Sequence, residues 1–346
     1  MWKKLIALLA LFPMIVPGLY AQAADSIPSI EETIAHLPFE GADLEKLLAN
    51  EIVSYELEAG TDKELAIVVA MLVRAPIDRL AELVLKGDVL RASADVIEVH
   101  FLGDHPPSEE LFSGMGFTAN ESKEVAELRR VAPGSKFNLS KEEIEHLNSV
   151  AQKVESSGSA DDPTVRNAIN DAYRTILLER YKAFRQGGLG AIAPYDRGKK
   201  SVDPGEELRD KIRRTTLVKK RIPNFYRALL NYPDDGRDAI HNRFALIKKS
   251  VNDRPAYVLG HRMYQLEPGD YALYAYHEFY VGHSYNSLQI ISGAVQVEQG
   301  TLVFYVNRTS TDQVAGFGGG LKRSIGRGMM RSAVVEQFES IRRLVE

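Results

Sequence analysis

The stretch YHEFYVGHSYN, residues 276–286, sets His277, Glu278 and His283 among closely spaced aromatic side chains. Two chemistries use such a set: coordination of a metal ion, or a few acid–base and hydrogen-bonding groups in the wall of an apolar pocket. On a strand, His277 and His283 are an even number of residues apart and share a face, while Glu278 points the other way. Six strand residues advance the chain by ~20 Å, whereas both imidazoles would have to come within ~2 Å of one ion. Only a bend or bulge at Gly282 would close that gap. A helix does no better, because the zinc-peptidase pattern needs two histidines four apart with a glutamate after the first. The spacing therefore predicts no metal and leaves the three residues as pocket polar groups or solvent-facing strand positions. No nucleophile accompanies them, since the chain has no cysteine and no GxSxG motif. His261, His277, Glu278 and His283 remain as candidate acid or base groups.

Aromatic residues continue on either side: Tyr271, Tyr274, Tyr276, Phe279, Tyr280 and Tyr285, with Phe304 and Tyr305 on a later strand. Spread over both strand faces, they predict a sheet covered on one side and partly enclosed on the other; ordinary strand packing explains them equally well. Arg308, closing LVFYVNR, and Asp312 lie where the sheet would meet the terminal helix, either orienting a ligand's polar head or standing exposed. The next segment, DQVAGFGGGLKRSIGRG, follows a strand and opens a helix, which raises a nucleotide loop. The glycines at 316, 318, 319 and 320 do not give GxGxxG spacing, GxxxxGK[ST] is absent, and no strand follows to complete a βαβ unit. No cofactor is expected. Each interior helical glycine costs about 1 kcal/mol. Close approach of the helix to a curved sheet, or room for a ligand between them, would offset that cost.

These residues need a scaffold, and the periodicity of the chain supplies one. Residues 52–58 and 65–73 read as a hairpin around Gly60-Thr61-Asp62, followed by a helix from Pro76 to Lys86 and a strand from Val96 to Leu102. Residues 105–235 are charged and helical, with starts at Thr118/Glu121, Ser140/Glu143, Asp162-Pro163 and Asp203-Pro204. Strands return at 244–250, 256–266, 271–281, 288–297 and 302–309, short, consecutive and antiparallel. About thirty residues of helix close the chain from Gly318, with Leu321, Ile325, Met329, Val335 and Phe338 on one side.

Composition bounds the function classes. Lys3, Lys4, an apolar run from Leu5 to Val16 and the small residues Ala21-Gln22-Ala23 predict a secretory signal peptide over residues 1–23, and hence a periplasmic or secreted protein. Its removal takes away Lys3 and Lys4 and no acid, leaving 41 basic against 47 acidic residues and a net charge of −6. Such a balance argues against bulk nucleic-acid binding. Without cysteine, a hydrophobic core alone must hold the 346-residue chain. Between Arg209 and Arg221, seven basic residues face one acid, Asp210, just ahead of IPNFYRALL. The run reads as a transient contact with anionic lipid or as a solvated helix face.

The order of a hairpin, VRAPIDRLAEL, a run of antiparallel strands and LVFYVNRTSTDQVAGFGGGLKRSIGRGMM resembles the START-related, helix-grip (SRPBCC-like) superfamily. The resemblance covers residues ~50–103 and ~240–346 and departs from the compact domain at 105–235, an all-helical insertion. It implies an α+β fold in which a curved antiparallel sheet wraps a long C-terminal helix. Residues 24–104 would then hold the N-terminal helices and first part of the START-like domain, and 236–346 the second. It further implies a cavity for a lipid, sterol-like or polycyclic molecule, with Tyr274, Tyr276, His277, Glu278, Phe279, His283, Phe304 and Arg308 as the ligand-binding set. The function expected is that of an exported bacterial binding or transfer protein, with the insertion as lid or docking element. Two alternatives stand beside it: a cyclase or hydrolase on the same scaffold using the His/Glu groups, and an envelope interaction protein acting through the helical segment.

Overall fold

The computed structural model describes residues 32, 35–91, 93–103, 106–134, 136–235, 240–316 and 318–346. The predicted signal peptide at 1–23 lies outside them. In chain order the elements are α1 (Gly41–Leu48), β1 (Val53–Glu56), β2 (Glu64–Val73), α2 (Ile77–Lys86), α3 (Asp88–Arg91), β3 (Val96–Phe101), α4 (Ser122–Leu128), α5 (Lys141–Lys153) and α6 (Pro163–Gly187). The two-residue strands β4 (Tyr195–Asp196) and β5 (Ser201–Val202) follow, then α7 (Pro204–Arg213), α8 (Thr216–Arg221) and α9 (Pro223–Asn231). The last third holds β6 (His241–Val251), β7 (Arg254–Glu267), β8 (Tyr271–Val281), β9 (Ser287–Val297), β10 (Gly300–Ser310) and α10 (Gly319–Val345).

Eight strands form one sheet in the order β1-β2-β10-β9-β8-β7-β6-β3. Every pairing is antiparallel. The β2–β10 ladder, from Glu64↔Ser310 to Val73↔Thr301, sews the early hairpin to the late meander. Local chemistry sets the boundaries. Asn252 and Asp253 take φ of 53° and 58°, the left-handed pair that turns β6 into β7 in two residues. Ser140 and Glu143 close a capping box on α5, and the Asp162 side chain accepts from the Thr164 amide ahead of Pro163 in α6.

Both sheet faces are covered, by different elements. The segment from Leu102 to Leu229 packs on the outer face of β6, β7 and β8 in one continuous core that includes Val125, Leu147, Tyr173, Phe184, Phe225, Phe244, Leu259 and Phe279. α1 and the residue Phe39 just before it cover the same face farther along, with Phe39 and Leu47 against Val68, Ala70, Leu72 and Phe304. On the inner face, Val334, Phe338, Ile341 and Val345 of α10 pack on Ile67, Val69, Met71, Val303 and Tyr305. This is a helix-grip arrangement, with the terminal helix clasped against a curling antiparallel sheet.

Three expectations are corrected by this placement. The helical segment is no lid, because it lies on the face away from the terminal helix and shares its core with the sheet. The stripe of α10 that packs is 334, 338, 341 and 345, whereas Leu321, Ile325 and Met329 are exposed. Arg209–Arg221 is not one basic face: Lys211 is buried, Arg209 and Arg213 pair with Glu206, and Lys220 and Arg221 reach Glu32. Membrane contact through that run is unsupported.

Candidate functional site

Strand alternation sends every second side chain of the sheet toward α10. On β8 these are Tyr274, Tyr276 and Glu278, on β9 Leu288, Ile290, Ser292 and Ala294, and on β10 Val303, Tyr305, Asn307 and Thr309. α10 does not fill the space above them. Between sheet and helix lies a cavity of about 570 Å³, walled by residues from seven of the eight strands, from α2 and α3, and from Met329, Met330, Ala333, Val334 and Phe338 of α10. That volume falls within the roughly 300–1,000 Å³ range of small-molecule sites. Gly326 makes the grip possible at one point. A Cβ there would sit 2.9 Å from Leu65 Cδ1, so only glycine lets the helix lie this close to β2 without displacing that side chain.

The cavity has two chemically distinct ends. Leu80, Val84, Leu266, Ala272, Ala294, Val303 and Ile341 make one end apolar. At the other end Glu278, with no exposed surface, accepts from the Lys249 ammonium and the Tyr285 hydroxyl. Burial alone would lower the Lys249 pKa, but the charges of Glu278 and then Asp95 outweigh it and raise it, so the ammonium stays protonated. Burial, reinforced by the Glu278 carboxylate, pushes Tyr276 and Tyr285 well above the ordinary phenol value, so both remain neutral donors. The Tyr276 hydroxyl has no hydrogen-bond partner of normal geometry, although it lies near enough to Glu278 to feel its charge. Asn307 donates to Tyr305 Oη at 3.2 Å and accepts from Thr309 Oγ1 at 3.0 Å, completing a polar rim on β10.

The eight residues expected to bind ligand divide between the two faces. Tyr274, Tyr276 and Glu278 line the cavity together. His277 does not; it is buried under the helical segment with Nε2 3.3 Å from Gln289 Nε2, and burial holds its pKa at about 3. Phe279 stacks on Phe184 with ring centroids 3.9 Å apart. Phe304 packs on Phe39 at 6.0 Å, and Arg308 pairs with Glu64 at 2.6 Å, because even positions of β10 face outward. His283 donates to the Pro255 carbonyl at 3.2 Å beside Phe137, and burial lowers its pKa to about 4. Both histidines end on the side of the helical segment, but not by simple alternation: Leu259 pairs Tyr280 while Gly260 pairs Glu278, so Phe279 is an extra residue and a bulge shifts the register before Gly282 is reached. His261 also lies outward, stacked 4.5 Å from Phe244, with burial pushing its pKa well below the usual value.

The expected ligand-binding set lacks Lys249, Tyr285, Tyr305 and Asn307, of which only Tyr285 and Tyr305 stand among the aromatics noted in the sequence. Tyr305 and Asn307 alternate with Phe304 and Arg308, so parity fixed from Tyr274 and Tyr276 across the ladder would have selected them. Lys249 follows Lys248 near the end of β6, and no local signal marks which of the two points inward. Among the described residues no group of three or more metal-ligating side chains occurs.

No family model matches the chain, and no curated protein matches its sequence. Among solved structures, the di-domain ARO/CYC StfQ from the steffimycin biosynthetic pathway aligns over 80% of this chain and 97% of its own, at 10% identity and a TM-score of 0.24. A likeness that low carries no weight for chemistry. The helix-grip description rests instead on the strand order and on the terminal helix across the inner face.

Proposed function

We propose that this chain binds a hydrophobic small molecule between its sheet and α10, and that it does so as an exported carrier. The supporting observation is the cavity of about 570 Å³, mostly apolar with one polar end. Such a site takes a ligand whose body is hydrophobic and whose one polar group meets Lys249, Tyr285, Tyr274 or Asn307. A lipid, a sterol-like molecule and a polycyclic aromatic all satisfy that description. Export follows from the leader-like first 23 residues.

The cluster of Glu278, Lys249, Tyr276 and Tyr285 favours a second reading, an enzyme that cyclises or hydrolyses the bound molecule. Its acid–base groups would be this cluster, since the histidines lie on the outer face. Delipidated protein incubated with mixed lipids and polycyclic aromatics and examined by native mass spectrometry tests the carrier reading. One retained apolar molecule per chain, recovered unchanged, is expected; chemically altered ligand would favour the enzyme, and no retained species would contradict both.

A further inference from the structure

We infer that the N-terminal half of α10 docks on an anionic lipid bilayer. Leu321, Ile325 and Met329 are 71%, 57% and 66% exposed. Their spacing of four residues places them on one side of the helix, with Ser324, Gly328 and Ser332 small enough beside them to leave the apolar side chains protruding. Soluble surfaces seldom present such a row uncovered.

Charge identifies the occupant. From Gln313 to Val335 the chain carries Lys322, Arg323, Arg327 and Arg331 and no acid, within a protein whose net charge is −4. Arg327 is tied to Glu56 and Arg323 to the Asp62 carbonyl, which fixes the helix to the β1–β2 hairpin. Lys322 and Arg331 are exposed, one on each flank of the apolar row. An apolar stripe between cations is the pattern of a helix lying in a membrane interface, with its side chains among the acyl chains and its cations at phosphate level. Position gives the contact a use. Met329, in the exposed row, also lines the cavity together with Gly326, Met330 and Ala333, so the docked face adjoins the cavity wall.

The test is co-sedimentation of the full chain with phosphatidylcholine vesicles, with and without phosphatidylglycerol. Wild-type protein should partition to the anionic vesicles and be released by salt. Leu321→Ser with Ile325→Ser should cut the partition coefficient by roughly tenfold or more, and Lys322→Glu with Arg331→Glu should abolish the preference for anionic lipid. Equal partition of wild type to both vesicles, unchanged partition of the serine variant, or a dimer that this variant dissolves without any vesicle binding would each overturn the inference. Leu321 and Ile325 do not line the cavity, so the serine variant should keep wild-type binding of an apolar probe in vesicle-free buffer. Failure of docking and failure of the cavity reading are therefore read separately.

Discussion

The outer and inner faces of β8 are made by one run of eleven residues, and they differ in what covers them. Outward, His277, Phe279 and Tyr280 are packed solidly: Phe279 stacks on Phe184, and Tyr280 and Tyr173 share a hydrogen bond of 2.9 Å. Inward, Tyr274, Tyr276 and Glu278 border empty space. Six helices, α4 to α9, and the loops between them cover the outer face from several directions and fill its gaps, whereas a single helix cannot follow a curling sheet along its whole width. The vacancy is thus a property of the cover, and the strand carries an apolar face either way.

The largest expected contrast is in truncation. Phe279→Ala should cost about 3–5 kcal/mol of folding stability, as for a fully packed aromatic. Leu288→Ala, whose side chain already borders the cavity, should cost only about 1–2 kcal/mol. Denaturant unfolding compares them, and equal losses would erase the distinction between the faces.

Comparable in size, and confined to the inner face, is the buried ion pair. Glu278→Leu leaves the Lys249 ammonium buried without its partner and should cost about 3–5 kcal/mol. Adding Lys249→Met should recover most of that loss. A double variant as unstable as the single one would mean that the pair is not what matters at this end of the cavity.

Acid should act on the outer face. His277 and His283 titrate at about 3 and about 4, and His261 well below its ordinary value, because burial disfavours the charged rings. An unfolded chain takes up these protons below its histidine pKa of about 6.5, while the folded chain refuses them. Stability should therefore be full above about pH 6.5 and fall as pH drops toward 4, by up to about 1.4 kcal/mol per pH unit for each histidine. His277→Gln should flatten the slope by one such share, as measured by thermal unfolding across that range. A slope unchanged by the substitution would place the acid sensitivity elsewhere.

The fold was largely legible because it rests on period and punctuation. Tyr271–Val281 has the bounds its alternation predicts, and the starts at Ser140, Asp162 and Asp203 each open a helix. The site was legible only in part. In a sheet covered on both sides, odd and even positions are both apolar, so alternation separates the faces without saying which one is hollow: the sequence points to Phe304 and Arg308, whereas Tyr305 and Asn307 face the cavity. The bulge at Phe279 has no signature of its own, since Gly260, its partner position, lies on another strand. The exposed row of α10 carried the same apolar signal as a packing stripe, and only the position of the sheet tells them apart.

The most direct test is a titration of N-phenyl-1-naphthylamine into wild-type protein and into Ser292→Phe, which places a ring in the cavity from the centre of β9. Wild type should bind one molecule per chain with saturable fluorescence enhancement. The variant should lose that binding while its thermal midpoint stays level or rises, because the new ring occupies empty space rather than crowding a packed core. No saturable binding to wild type, or equal binding to the filled variant, would contradict a ligand cavity between the sheet and its terminal helix.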